Sequence, residues 1–342
     1  MDLSRRGGPV AAVAALVVML GAGVLLLIGP GGVGGTDASA PNPSLTRVPT
    51  TPPDLAAPAR GPAPPSSGAW VGAWVKPDVP TQAGRVAAVA RFEREIGRPL
   101  DIVQTYHSTE DFPADADLDF VQQGKTLMIS WSGDDTRVIA SGRDDALIRA
   151  RAQGIKAMRV PVMLRWRFEM NRPNLQASVW SPSDFVAAWK HVRAIFTAVG
   201  ATNAAFVWCP LATDFDATQG PAYYPGDDQV EWICTDVYPG PDYSSFADVA
   251  APFMMWASTH AKPVIIGEYG AEDKDGGNQA QWIADAGTYA KAHPQIKAMV
   301  YFEAESANNG KSRNYTISGT GAPLEAFRSM ALQPYFYKRG GG

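Results

Sequence analysis

From Ala69 to the C-terminus, short apolar runs alternate with longer stretches in which apolar residues recur every three or four positions. This is the pattern of strands separated by amphipathic helices. Eight runs read as strands: Trp70–Val75, Ile102–Tyr106, Thr126–Trp131, Val160–Trp166, Ala204–Trp208, Trp232–Val237, Val264–Gly267 and Ala298–Phe302. Alternating strands and helices build a parallel sheet with helices on its faces. Eight such units over residues 69–342 match a (β/α)8 TIM barrel, which typically takes about 250 residues. The competing architecture is an open doubly wound sheet. It carries a glycine-rich phosphate turn after its first strand, and Trp70-Val71-Gly72-Ala73-Trp74 is not one. Among the helices, Phe185 to Val199 is framed most clearly, with Ser181-Pro182-Ser183-Asp184 supplying cap residues and an early proline, and Gly200 a stop. Cys209 to Glu231 lacks a helical period and reads as a long loop on the barrel's active face.

The segment before residue 69 has a different pattern. Pro9 to Gly29 is apolar and uncharged and follows Arg5 and Arg6. Residues 1–29 therefore read as an export signal or a signal-anchor helix, since about 20 apolar residues span a bilayer core of roughly 30 Å. Ala38-Ser39-Ala40 fits a cleavage site but lies late and precedes Pro41, which favours retention. Residues 30–68 are dominated by Pro, Ala, Gly, Ser and Thr. Such a segment buries too little to offset its ordering entropy, so it reads as a disordered linker to a folded domain at 69–342. An extracellular or cell-surface location follows, either secreted or tethered through residues 9–29.

Composition narrows the function. A hydrophobic share of 46% over 342 residues supports a sizeable core without disulfide staples. The net charge of -4, from 30 basic and 34 acidic residues, offers no basic stripe, so nucleic acid is not an expected partner. Ten Trp, eleven Tyr and thirteen Phe supply flat faces that suit sugar rings as well as core packing. No His/Cys cluster has metal-ligand spacing, so neither a metal nor another cofactor is expected. Cys209 and Cys234 lie near the ends of neighbouring predicted strands; a disulfide and two buried thiols are both open. A monomer is expected.

In a TIM barrel the C-terminal strand ends face the site. Two glutamates close apolar runs there: Glu169 in Pro161-Val162-Met163-Leu164-Arg165-Trp166-Arg167-Phe168-Glu169, and Glu268 in Pro263-Val264-Ile265-Ile266-Gly267-Glu268. They end the fourth and seventh predicted strands, across the barrel mouth from each other. Glycosidic cleavage needs one carboxylic acid to protonate the departing oxygen and one carboxylate to attack or stabilise the anomeric carbon. A separation of about 5 to 5.5 Å implies retention, and roughly 6.5 to 9.5 Å implies inversion. Trp74, Tyr106, His107, Trp131 and Trp166 lie at or near strand ends as candidates to stack on or hydrogen-bond a sugar, with core filling the competing reading for each.

The sequences around these glutamates resemble glycoside hydrolase family 26, the group of β-mannanases, mixed-linkage β-glucanases and β-1,3-xylanases. The match runs from roughly Gly142 to Glu303. Arg165 with Phe168-Glu169-Met170-Asn171 resembles the family's Arg-x-x-His-Glu-Met-Asn element. Tyr223-Tyr224-Pro225-Gly226-Asp227-Asp228-Gln229-Val230-Glu231-Trp232, followed by Asp236-Val237-Tyr238, resembles its strand-six signature, Lys262 to Gly270 its nucleophile strand, and Asn203 with Trp208 and Pro210 its fifth strand. The resemblance implies a retaining endo-acting hydrolase of a β-linked polysaccharide, β-mannan first and β-glucan second. It makes Glu169 the acid/base, Glu268 the nucleophile and Tyr238 a hydroxyl donor to Glu268. Arg165 and Asn171 join the candidate substrate-binding set, with an ion-pair partner inside the barrel the competing reading for Arg165. Two positions depart from the pattern: Phe168 stands where the family has histidine, and Asn174 lies where many mannanases have tryptophan. These departures bear on the substrate and keep a non-catalytic carbohydrate-binding barrel as the alternative function.

Overall fold

Eight parallel strands close on themselves in the computed structural model, which describes residues 60–109, 114–216, 219–274, 278–308 and 311–337. The strands are β1 (Trp70–Val75), β2 (Ile102–His107), β3 (Thr126–Trp131), β4 (Val162–Trp166), β5 (Ala204–Trp208), β6 (Trp232–Val237), β7 (Val264–Tyr269) and β8 (Ile296–Glu303). Each pairs with the next, and β1 pairs with β8. The expected (β/α)8 barrel is the observed fold. Helices α1 (Gln82–Ile96), α2 (Ala114–Gln122), α3 (Thr136–Ala140), α4 (Asp145–Met158), α5 (Gln176–Val179), α6 (Pro182–Val199), α7 (Phe246–Ala257), α8 (Asn278–Ala292) and α9 (Ala322–Ala331) lie between and after the strands. A hairpin of β9 (Glu305–Asn308) and β10 (Lys311–Asn314) follows β8.

Local sequence sets these boundaries. Ser181 caps α6 by accepting from the Asp184 amide, Pro182 opens the helix, and Gly200 ends it in the left-handed conformation. Between β5 and β6, short 3-10 turns are the only helical elements among the described residues, in keeping with the loop's lack of helical period.

The pleat divides side chains between two cores. Ile102, Met128, Met163, Ala205, Val207, Trp232, Cys234, Ile265, Ala298 and Val300 fill the barrel interior. The alternate residues Val103, Leu127, Leu164, Phe206, Ile233 and Ile266 face the helices. At the lower end Trp70 stacks on Trp232 with ring centroids 5.9 Å apart.

Residues 60–68 correct the expected linker boundary. The Trp232 indole donates to the Pro62 carbonyl at 3.2 Å, Arg60 donates to Thr197 Oγ1 at 3.0 Å, and the Ala69 amide donates to the Tyr335 carbonyl at 3.1 Å. Prolines have no N–H to satisfy, so this stretch can lie against the barrel without forming a ladder. The segment expected as export signal or anchor, and the linker up to residue 59, lie outside the described residues. Among the described residues, no helix is long and apolar enough to cross a membrane.

Candidate active site

The site is built on one row of the barrel. Tyr106, Ser130 and Arg165 are register partners on β2, β3 and β4, so their side chains project inward at one height. Arg165 is completely buried. Its Nε donates to Ser130 Oγ at 2.9 Å, its Nη1 donates to both carboxylate oxygens of Asp236 at 2.7 Å, and its Nη2 donates to Glu268. Burial works against the guanidinium's charge, but Asp236 and Glu268 more than offset it and hold the Arg165 pKa above its ordinary value.

Glu268 faces inward because β7 slips its register. Thr235 pairs with Ile266, whereas Asp236 pairs with Glu268, leaving Gly267 as an extra residue that reverses the pleat's parity. Glu268 Oε1 accepts from the Tyr106 hydroxyl at 2.5 Å and Oε2 from the Tyr238 hydroxyl at 2.7 Å. Burial, and then the neighbouring Glu268 charge, push both tyrosine pKa values well above the usual range, so both remain donors. Two hydroxyls and a guanidinium thus donate to the Glu268 carboxylate.

Glu169 stands just past β4 with φ 54°, a left-handed backbone uncommon for a residue with a long side chain. Its amide donates to the Cys209 carbonyl at 2.7 Å, and its own carbonyl accepts from the Arg172 amide at 3.0 Å. The Arg172 guanidinium bonds the Glu169 carboxylate at Oε2. Burial raises the Glu169 pKa; Arg172 opposes that rise and Glu268 adds to it. Glu169, Asp236 and Glu268 each contribute one carboxylate oxygen to a cluster in which all three lie within 4.8 Å of one another. Each carboxylate is already bonded to a guanidinium: Arg172 to Glu169, and Arg165 to the other two. The arrangement sets a carboxyl whose pKa burial raises close to a carboxylate held by three donors, a pairing suited to acid-assisted displacement.

Aromatic rings wall the mouth. Tyr106 packs edge-on against Trp74 at 5.0 Å, Phe168 at 5.8 Å and Phe302 at 6.3 Å, and Tyr238 lies 4.9 Å from Tyr315. Phe168, at the position where histidine was expected, spreads its ring 4.2 Å from the Arg165 guanidinium carbon. It covers the cation with a π face and offers no hydrogen-bond donor of its own.

Of the residues proposed from sequence, Glu169, Glu268, Arg165, Tyr238 and Trp74 come together here. Four do not. His107 points outward, its Nε2 3.0 Å from Asp117 Oδ2 on α2 and 3.1 Å from Thr105 Oγ1. Trp131 is wholly buried in the core between strands and helices. Trp166 packs in that layer too, stacked on Phe185 at 5.8 Å and 5.9 Å from Trp189. These three are strand neighbours of the inward-facing Tyr106, Ser130 and Arg165, and the pleat sends them the other way. Asn171 staples two loops, donating to the Leu211 carbonyl at 2.9 Å and accepting from the Leu211 amide at 2.8 Å. Both functions of its amide are spent on backbone. Asp236 and Arg172 join the site without having been expected from sequence. Asp236 lies two residues before Tyr238, the right parity for a shared face, and Arg172 is three residues beyond Glu169.

Cys209 and Cys234 are disulfide-bonded in the barrel interior. Glu303 accepts from the Ile317 and Ser318 amides at 2.9 and 3.0 Å, so it anchors the chain after the hairpin and is not part of the mouth.

No protein-family model matches the chain. Among curated proteins it is similar to Endoglucanase H of Acetivibrio thermocellus, 30% identical over 286 residues, which is 77% of this chain and 30% of that protein. It is also similar to a beta-1,3-xylanase of Alcaligenes sp., 27% identical over 139 residues, which is 38% of this chain and 27% of that one. The chain therefore spans less than a third of the length of these curated relatives. Among solved structures it resembles the GH26 beta-mannanase BoMan26A of Bacteroides ovatus, with TM-score 0.62, 14% identity, and coverage of 80% of this chain and 90% of that one. A modular endo-beta-1,4-mannanase of Cellulomonas fimi gives TM-score 0.61 at 16% identity, covering 79% of this chain and 72% of that one. In its motifs and in its barrel, this chain resembles the family 26 glycoside hydrolases.

Proposed function

We propose that the protein is a retaining endo-glycoside hydrolase of the family 26 type that cleaves a β-linked polysaccharide. The observation that carries this reading is the carboxylate pair. Glu169 and Glu268 approach within 4.8 Å at their nearest oxygens, with burial raising the pKa of one and Arg165, Tyr106 and Tyr238 bonded to the other. That gap suits direct attack on the anomeric carbon and leaves no room for an intervening water, which inversion requires.

In the proposed reaction Glu169 gives its proton to the glycosidic oxygen as Glu268 attacks the anomeric carbon. The bond to the leaving sugar breaks and a glycosyl ester forms on Glu268. Glu169, now a carboxylate, takes a proton from water as that water displaces Glu268 from the anomeric carbon. Tyr238, Tyr106 and Arg165 orient the Glu268 carboxylate. Trp74 and Phe302 offer flat faces to the sugar.

β-Mannan is the first substrate of this reading and β-glucan the second. The structural neighbours are named as mannanases, and the longest curated match is named an endoglucanase. We place the enzyme outside the cell, secreted or tethered, on the strength of the uncharged apolar stretch at 9–29 and the linker after it.

The test is product analysis of the full chain on β-mannan, mixed-linkage β-glucan and β-1,3-xylan, with the anomeric outcome read by proton NMR. The reading expects β-configured products first. It also expects Glu169→Ala to retain activity only on aryl glycosides with good leaving groups, with azide accelerating turnover. Inverted products sink the double displacement, and glycan binding without cleavage points to a carbohydrate-binding barrel.

A further inference from the structure

We infer that the Cys209–Cys234 disulfide is a positioning element of the active centre, setting the placement of both glutamates from within the barrel. The inference rests on the hydrolase reading above for its kinetic consequences and on geometry for everything else.

Cys209 lies just past β5 and Cys234 within β6, with Cα atoms 4.3 Å apart and both side chains completely buried. Neighbouring parallel strands are already tied together by their ladder, so a staple in this place adds little to the topology. What it touches is more informative. The Cys209 carbonyl accepts the Glu169 amide at 2.7 Å, and this bond holds Glu169 in its left-handed conformation. Cys209 Sγ lies 3.3 Å from Asp236 Oδ1 and 3.6 Å from Arg165 Nη1, against both members of the ion pair that supports Glu268. Gly267, the residue before Glu268, packs on both sulfurs so closely that a Cβ there would stand 2.3 Å from Cys234 Sγ and 3.1 Å from Cys209 Sγ.

One covalent bond therefore meets the backbone that sets Glu169, the backbone that sets Glu268 and the charge pair between them. The bonded sulfurs are compact enough for the Gly267 bulge to close over them. Two thiols must sit at van der Waals distance, and in this packed interior the groups pressed against the sulfurs are Gly267, Asp236 and the Cys209 backbone. A shift of any of these moves a glutamate or its support. Displacements well under an ångström suffice to lower the rate of a reaction that depends on the approach of two carboxylates to one carbon.

The test uses the full chain in three forms: oxidised wild type, wild type prepared with both cysteines reduced, and Cys209→Ala/Cys234→Ala. Labelling of unfolded, unreduced wild type with a thiol reagent is expected to find no free thiol. Against the oxidised form, both altered forms are expected to lose kcat on the order of 10- to 100-fold with KM nearly unchanged. The midpoint of the Glu169 carboxyl, followed by carbon NMR and assigned with Glu169→Gln, is expected to move in both. Reduced wild type keeps the comparison valid if the double variant fails to fold. Two free thiols in native wild type, or an unchanged kcat and Glu169 midpoint in the altered forms, overturn the inference. If oxidised wild type cleaves no glycan, the hydrolase reading falls, and the Glu169 midpoint still decides this one.

Discussion

Arg172 lies three residues beyond Glu169, and its guanidinium bonds the carboxylate that burial otherwise drives toward its protonated form. The two influences oppose each other. The first chemical step of the proposed reaction needs Glu169 protonated, so kcat/KM falls as pH rises through the Glu169 pKa. Replacing Arg172 by methionine removes the influence that lowers this pKa and leaves the burial that raises it. The alkaline limb of the pH profile is therefore expected to move to higher pH in Arg172→Met, while Glu169→Gln loses that limb together with most activity. A profile unmoved by Arg172→Met separates the limb from Glu169.

Asp236 supports Glu268 through Arg165. Burial pushes the Asp236 pKa well above the usual carboxylate range, and Arg165 pulls it back. Asp236→Asn keeps the side chain's shape and removes its charge, so Arg165 is left with Glu268 as its one buried counter-ion. A tighter Arg165–Glu268 pair makes a weaker nucleophile. Formation of the glycosyl ester is expected to slow by about 10- to 100-fold, seen as a smaller burst rate on an activated aryl glycoside, with KM little changed. Asp236→Ala is expected to destabilise the fold more than Asp236→Asn, read as a lower denaturant midpoint, since it leaves the buried Arg165 Nη1 donor without its Asp236 acceptor and opens a cavity. An intact burst rate in Asp236→Asn would rule out the relay.

The barrel and both glutamates were legible in the sequence because apolar runs, and the polar residues that close them, are local signals. Every expected strand is present, and β4 starts at Val162 where the apolar run suggested Val160. The facing of the strand-end residues was less legible. His107, Trp131 and Trp166 carry side chains suited to a sugar, yet each is one position out of phase with the inward row. Arg165 could have fixed that phase, since a buried guanidinium near two carboxylates belongs inside, and Tyr106 and Ser130 follow by register. Parity fails as a guide at Gly267, where the bulge turns Glu268 inward three residues after the inward Ile265. That bulge depends on contacts with β6 and the disulfide, which no local pattern contains.

The same parity makes a contrast between two tryptophans. Trp74 borders the mouth beside Tyr106, whereas Trp166 is buried against Phe185 and Trp189. Trp74→Ala is expected to raise KM for polysaccharide with little change in melting temperature. Trp166→Ala is expected to cost about 3–5 kcal/mol of stability through the cavity it leaves, read as a lower denaturant midpoint, with KM of the folded fraction unchanged. The reverse assignment of effects would place Trp166 at the sugar.

Glu231 belongs to the segment that resembles the family's strand-six signature, yet it works away from the mouth. Its carboxylate accepts from Arg193 Nη1 and Nη2 at 2.9 and 2.6 Å, and from the Phe206 amide at 2.8 Å, all buried. The pair joins α6 to the start of β6 and caps a β5 amide as well. Glu231→Ala strands the Arg193 charge and that amide together, and the expected loss is about 3–5 kcal/mol. Glu231→Gln keeps the shape and part of the hydrogen bonding, so its loss is expected to be smaller. In both variants the folded enzyme should keep the pH profile of wild type, because neither change reaches Glu169 or Glu268. A shifted profile with unchanged stability would instead tie Glu231 to the reaction.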